Sequence, residues 1–389
     1  SLMKRKFSMI LIMILLFTGG FLSGMWTSNN KPSNSATMIS NVLPVPISEK
    51  NPVGKVLPEL PLSPSKVLTG YVQDFRDPDQ LDMTHLTHVI FSFAHPTKDG
   101  ELLLNGDPAL NNLRHTVKKA HGQNKKAILA VGGWYHIEGN ESYDHFKSAI
   151  ENDTSRTKLV KELMRIVEKE NLDGIDIDFE HPRSNQDARY LTLFIQELSQ
   201  HLKPKQKELS VAVNAKIHSV AGTELTSVVY EPVMFEYVDR VHIMAYDGQW
   251  DGGYNAANLS SYTFTENIVQ YWTNLFNTHQ IPKEKLVLGV PFYAQPVDPD
   301  IKQVSYAAIV NHDSSSIVND TVEMNGTTYH FNGLKTMERK TTLALQHGFG
   351  GMMIWEVGHD TSGTHSLTAA ISDKLSSEVN ANGKLYTNN

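Results

Sequence analysis

Asp173-Gly174-Ile175-Asp176-Ile177-Asp178-Phe179-Glu180 alternates acidic and apolar side chains. In a strand, successive side chains face opposite sides, so Asp176, Asp178 and Glu180 share one face. Ile175, Ile177 and Phe179 take the other, where a helical layer can cover them. Three acids a pleat apart cannot all ionise cheaply in a low-dielectric interior, because neighbouring like charges raise at least one pKa. A carboxylic acid kept protonated near neutral pH is what protonating a leaving oxygen requires.

Seven more short, apolar, β-branched runs flank this one: Val67–Tyr71, His88–Phe93, Ala127–Val131, Leu209–Val213, Arg240–Met244, Leu286–Val290 and Gly351–Trp355, with Gly174–Phe179 fourth in order. Helical periodicity separates them at Ala109–Ala120, Thr157–Glu170, Gln186–His201, Thr265–Thr278 and Gly333–Gln346. Strand–helix alternation with buried strands implies a parallel sheet, and eight strands of this kind point to an α/β fold closed as a (β/α)8 TIM barrel. The polar segment Pro296–Phe331, with β-prone Thr327–Phe331, reads as a small insertion between strands 7 and 8. Barrel sites sit at the C-terminal mouth of the strands, where Glu180 would stand.

The 389 residues carry 35 basic and 42 acidic side chains, a net −7, which gives no support to nucleic-acid binding. Cysteine is absent, which excludes a disulfide framework, thiol catalysis and thiolate-bound zinc. No G-x-G-x-x-G follows the first strand and no Walker loop occurs, so a nucleotide cofactor is not expected. Alternating Asp and Glu also suit a hard divalent cation, although no further ligand cluster accompanies them. A purely structural polar network is the third reading, and a half-satisfied one is costly.

The segment resembles the D-x-x-D-x-D-x-E signature of glycoside hydrolase family 18, the chitinase family. Gly70-Tyr71, Phe91-Ser92-Phe93-Ala94, Val131-Gly132-Gly133-Trp134-Tyr135, Met244-Ala245-Tyr246-Asp247, Gly289-Val290-Pro291-Phe292-Tyr293 and Gly350-Gly351-Met352-Met353-Ile354-Trp355-Glu356 resemble its other strand motifs. The resemblance implies hydrolysis of β-1,4 bonds next to N-acetylglucosamine, in chitin or chito-oligosaccharides, by a retaining, substrate-assisted mechanism without metal or cofactor. Glu180 would be the acid and base. Asp178 would bind the acetamide N–H, Asp176 would share a proton with Asp178, and Tyr246 would hold the acetamide oxygen. Trp355 would floor the site, Trp134 and Tyr135 would stack on sugars beyond the cut, and Trp250 and Tyr293 would line other subsites. Asp247, Tyr71 and Asn214 complete the candidate substrate contacts. The alternatives are an endo-β-N-acetylglucosaminidase on N-glycans, a peptidoglycan or spore-wall N-acetylglucosaminidase, and a non-catalytic chitin-binding lectin.

The chain departs from the family pattern in three places. Ala130 replaces a frequent serine that helps hold the buried aspartate, which predicts an altered pH profile. Ala294-Gln295 replaces a frequent Gly-Arg, so a substrate-binding cation is expected to be missing. His181 follows Glu180 where tyrosine is frequent, and reads as a satisfied loop histidine.

Ser1-Leu2 ahead of Met3 reads as a cloning scar. Lys4, Arg5 and Lys6 precede an apolar run, so residues 1–26 read as a signal peptide or a signal anchor (residues 7–26). Residues 27–65 are rich in Pro, Ser and Asn and read as an extended linker, leaving 66–389 as the catalytic barrel. The protein is therefore expected to be extracellular, secreted or held at the outer face of the membrane, and monomeric, with a glycan as its partner.

Overall fold

Alternate side chains of the strands part into two cores. The computed structural model describes residues 65–215 and 228–385, with the last helix as backbone only from residue 378. The expected signal segment, and the linker up to residue 64, lie outside the described residues. One face of the strands, including Leu68, Val89, Leu129, Ile175, Val211, Ile243, Leu288 and Ile354, packs with helix residues such as Leu163, Phe194, Trp272 and Met337 into the larger core. The opposite face supplies a smaller core of Tyr71, Ile90, Ile128, Ala130, Val287 and Met353. Period-two alternation splits the side chains in this way only if the sheet has both an inside and a covered outside.

Eight parallel strands enclose the smaller core: Val67–Gln73, His88–Pro96, Lys126–Gly133, Gly174–Phe179, Glu208–Asn214, Arg240–Met244, Leu286–Pro291 and Gly351–Trp355. Each pairs with the next, and the eighth pairs with the first, Val67 opposite Gly351 and Gly70 opposite Ile354. All eight expected runs are strands, and the barrel is a (β/α)8 barrel. Third and fourth strands approach closely because Gly132 has no side chain: it sits at φ +118°, and a Cβ there would meet the Asp178 carbonyl oxygen at 2.0 Å. At the opposite end of the barrel, Glu208 accepts hydrogen bonds from Lys126 (2.7 Å) and Arg240 (2.7 Å) and lies 2.8 Å from His88 Nε2, tying down the N-terminal ends of four strands.

The five expected helices occur as Gly106–Gly122, Asp153–Lys169, Asn185–Leu202, Tyr262–Thr278 and Leu334–Gln346. Asn152 caps the second by accepting from Thr154 N–H at 2.8 Å, and Ser184 caps the third by accepting from Asp187 N–H at 3.1 Å. Three further helices, Tyr143–Glu151, Tyr306–His312 and Leu367–Leu385, were not expected from the sequence. The insertion is larger than the reading Pro296–Phe331 allowed. Its antiparallel sheet already includes Tyr293–Pro296, which pairs with Val304–Ser305 on one side and Thr327–His330 on the other, and Thr321–Met324 completes it. Tyr293 and Gln295 therefore belong to the inserted sheet and not to a barrel loop.

Candidate active site

The fourth strand presents its acids to the barrel interior at graded depth: Asp176 is fully buried, Asp178 is 3% exposed and Glu180 is half-buried at the mouth. Asp176 is held by three neighbours. Tyr71 donates its hydroxyl to Oδ2 at 2.6 Å, Ser210 donates to Oδ1 at 2.6 Å, and His242 Nδ1 lies 3.0 Å from Oδ1. These contacts fix the Asp176 carboxyl at the bottom of the row, next in line to Asp178.

Asp178 is hydrogen-bonded to Glu180, the next acid toward the mouth. Burial pushes the Asp178 carboxyl well above the usual range, and the charges of Glu180 and Asp176 and the hydrogen bond to Glu180 add to the shift. Burial likewise pushes Glu180 up to about 7, while the hydrogen bond from Asp178 lowers it and the charge of Asp247 raises it. The two acids thus hold a common proton near neutral pH. Asp178 keeps one buried oxygen, Oδ1, without any hydrogen-bond partner. A buried acceptor of this kind calls for a donor from outside the protein.

The aromatic candidates separate by depth. Trp355 is half-buried, stacked on Phe93 (ring centroids 5.9 Å apart, planes at 21°) and tilted against Tyr71 (5.5 Å). Tyr246 presents a hydroxyl whose partner among the described residues is the Met353 thioether, at 3.8 Å, a weak acceptor. Tyr135 is exposed and Trp134 half-buried, its ring 6.3 Å from that of His181. Trp250 packs against Tyr254 at 4.9 Å on the loop after the sixth strand.

Two candidates are corrected. Tyr71 is 1% exposed and lies beneath Trp355 with its hydroxyl on Asp176, so it orients the acid row and does not face a ligand. Tyr293, 4% exposed, donates its hydroxyl to Asp247 and supports it from behind. Asp247 itself is exposed in left-handed backbone (φ +62°) beside Tyr246. Asn214 is half-buried, its Nδ2 lying 3.4 Å from Nδ1 of His181. Burial lowers His181 to about 4, so it is neutral at pH 7. Gln295 is buried, accepting from Tyr254 and donating to Gln303.

Ser210, His242, Phe93 and Met353 were not singled out from the sequence. Ser210 and His242 each interrupt an apolar strand at an inward position, the same parity signal that exposes the acid row. The register explains the departure at Ala130. Ala130 and Ser210 stand level with Asp176 on the strands to either side of it, so the hydroxyl missing from the third strand arrives from the fifth. Ser210→Ala is expected to lower kcat about three- to tenfold, since a hydrogen bond typically contributes about 0.5–1.5 kcal/mol net. Adding Ala130→Ser should restore most of that loss, and steady-state kinetics of the single and double variants check both. Beyond the strand tips, Arg76 donates to the fully buried Glu356 through Nε (2.9 Å) and Nη2, linking the loops that follow the first and eighth strands.

The family model for glycosyl hydrolases family 18 matches residues 67–360. "Endochitinase" of Manduca sexta is 26% identical over 238 residues, which are 56% of this chain and 41% of that protein. "Endochitinase 1" of Metarhizium anisopliae is 22% identical over 351 residues, 77% of this chain and 81% of that protein. The crystal structure of a family 18 chitinase from the chitin utilization locus of Flavobacterium johnsoniae superposes with a TM-score of 0.67 at 25% identity, covering 81% of this chain and 96% of that one. The first curated relatives are matched over 10% to 52% of their own length.

Proposed function

Because the chain belongs to glycosyl hydrolase family 18, we propose that it hydrolyses β-1,4 bonds next to N-acetylglucosamine, in chitin or its oligomers, with the sugar's own acetamide as nucleophile. The observation that carries this reading is the unpartnered Oδ1 of Asp178, buried beside the proton shared with Glu180. An acetamide N–H is a donor of the right kind for that oxygen.

A retaining glycosidase with two protein carboxyls needs them about 5–5.5 Å apart on opposite sides of the bond. Asp178 and Glu180 instead come from one face of one strand and touch. In the proposed reaction Glu180 gives its proton to the glycosidic oxygen as the acetamide oxygen bonds to the anomeric carbon and the C–O bond breaks. Asp178 accepts the acetamide N–H and stabilises the cationic ring. The Tyr246 hydroxyl, which has the weak Met353 thioether as its partner among the described residues, holds the acetamide oxygen in line, a positioning effect. Glu180, now ionised, takes a proton from water as that water opens the ring. Trp355 lies under the sugar, and Trp134 and Tyr135 offer ring faces beyond the cut.

Product analysis by mass spectrometry tests the reading. Chitin oligomers, a high-mannose glycopeptide and peptidoglycan are offered separately to the purified protein. Cleavage of the chitin oligomers alone is expected. Cleavage of another substrate alone would replace the proposed one, and binding without cleavage would make the protein a lectin. The pH profile gives a second check. Glu180 must be protonated to act, so kcat/KM is expected to fall tenfold per unit above about pH 7, where an ordinary glutamate would fail from about pH 4.5. On this reading the leader at residues 7–26 delivers the protein outside the cell, where such polymers lie.

A further inference from the structure

The loop that carries Trp134 and Tyr135 holds a second cluster of chemistry-bearing groups. His136 is fully buried, and its Nε2 lies 2.9 Å from the Pro96 carbonyl oxygen. A carbonyl can only accept, so Nε2 carries the hydrogen and Nδ1 has a lone pair. Holding one ring nitrogen on a backbone carbonyl is how proteins orient a metal-binding imidazole. The His145 ring lies parallel to His136 with centroids 3.7 Å apart, and its Nδ1 is shut off from solvent with no hydrogen-bond partner. Glu138 completes the group, Oε2 standing 3.9 Å from His136 Nδ1 and 3.8 Å from His145 Nδ1.

We propose that His136, Glu138 and His145 bind a divalent transition ion of the zinc class. The sequence reading assigned no metal to the chain, and this cluster is separate from the acid row. Zinc bonds to imidazole nitrogen and carboxylate oxygen at about 2.0–2.2 Å, which puts tetrahedral ligand atoms about 3.3–3.5 Å apart. The carboxylate is therefore about half an ångström too far from each nitrogen. Glu138 is exposed and can swing to close that distance, while the two rings tilt out of parallel so that their lone pairs converge. His136 Nδ1 now accepts the Glu138 amide at 3.2 Å, and the ion replaces that contact. Two imidazoles and one carboxylate select zinc, nickel or copper over magnesium and calcium, and water fills the remaining position.

The site would act on the loop as a clasp. Ser142 N–H donates to Trp134 C=O at 2.8 Å and Tyr135 bridges to Glu141, so residues 134–142 form a small hairpin. An ion at its tip ties that hairpin to the helix Tyr143–Glu151, which carries His145, and fixes the Trp134 and Tyr135 rings. Only this last consequence depends on the proposed hydrolase reading; the metal site does not.

The test uses the full chain, stripped with EDTA, dialysed, and titrated with zinc chloride by calorimetry at pH 7.5. One ion per chain is expected to bind with a Kd of about 10 µM or tighter. Glu138→Gln, a change at an exposed side chain, should weaken it about tenfold, and His145→Asn should abolish it. Hydrogen exchange of residues 134–145 should slow with zinc in the wild type and stay unchanged in His145→Asn. No binding at ten times that zinc concentration would overturn the proposal. So would binding indifferent to both variants, which would place the ion among other members of the chain's 17 histidines. Hydrolysis is measured separately, and its loss or retention bears on the proposed function alone.

Discussion

Glu180→Gln is expected to lower kcat by about 10²–10⁴-fold, the range that a positioned acid–base group contributes. Chitin-oligomer affinity should stay within a few-fold of wild type. Glutamine keeps the shape of the side chain and an oxygen that can accept from Asp178, but it has no proton to give. The variant should also melt higher than wild type at pH 8. The folded-state pKa of Glu180 is raised by burial from an ordinary 4.5 to about 7. A raised carboxyl contributes stability in full below 4.5 and loses it as pH rises through 7. At pH 8 the wild type therefore carries an unfavourable ionisation, about 1–2 kcal/mol after allowing for solvent at this half-open position, and glutamine does not. Initial rates, calorimetry and thermal melts at pH 4 and pH 8 check the three parts. A wild-type rate in this variant would sink the proposed mechanism, and equal melting at both pH values would sink the account of its pKa.

Asp178→Asn should lower kcat by about 10²–10³-fold with a smaller change in KM, since the negative charge it removes matters most when the sugar ring becomes cationic. Asp178 and Glu180 hold one proton between them, so they act as a unit. The double variant should therefore be little worse than Glu180→Gln alone, where independent groups would multiply their losses. Single-turnover rates of the two single variants and the double variant decide it. Multiplying effects would mean that the two acids work separately.

The barrel was legible because strand parity survives in the sequence: Ile175, Ile177 and Phe179 do pack outside, and the acids do point in. Parity says which face a side chain takes, but not which residues of other strands stand beside it. The groups that hold Asp176 come from positions 105, 34 and 66 residues away. Only the register of the closed sheet brings Tyr71, Ser210 and His242 to one carboxylate. For the same reason the depth of Tyr71 was not legible: its motif marked the first strand, while its packing against Trp355 depends on how the barrel closes. The inserted sheet was underestimated because Tyr293–Pro296 follows a barrel strand after a single residue, leaving no polar gap in the sequence to mark the change of direction. The histidine cluster left no periodic trace either, since one member lies in a turn and another in a short helix.

The pairing of Val67–Gln73 with Gly351–Trp355 has a consequence for timing. Tyr71 lies near the start of the described chain and Trp355 near its end, yet their rings pack together. A ribosome that has made everything up to Phe349 has already released the three acids, but the barrel still has two raw strand edges and lacks Trp355. On the proposed reading the protein would stay inert until this last strand is made. Catalytic competence would then wait for the last strand to dock on the first.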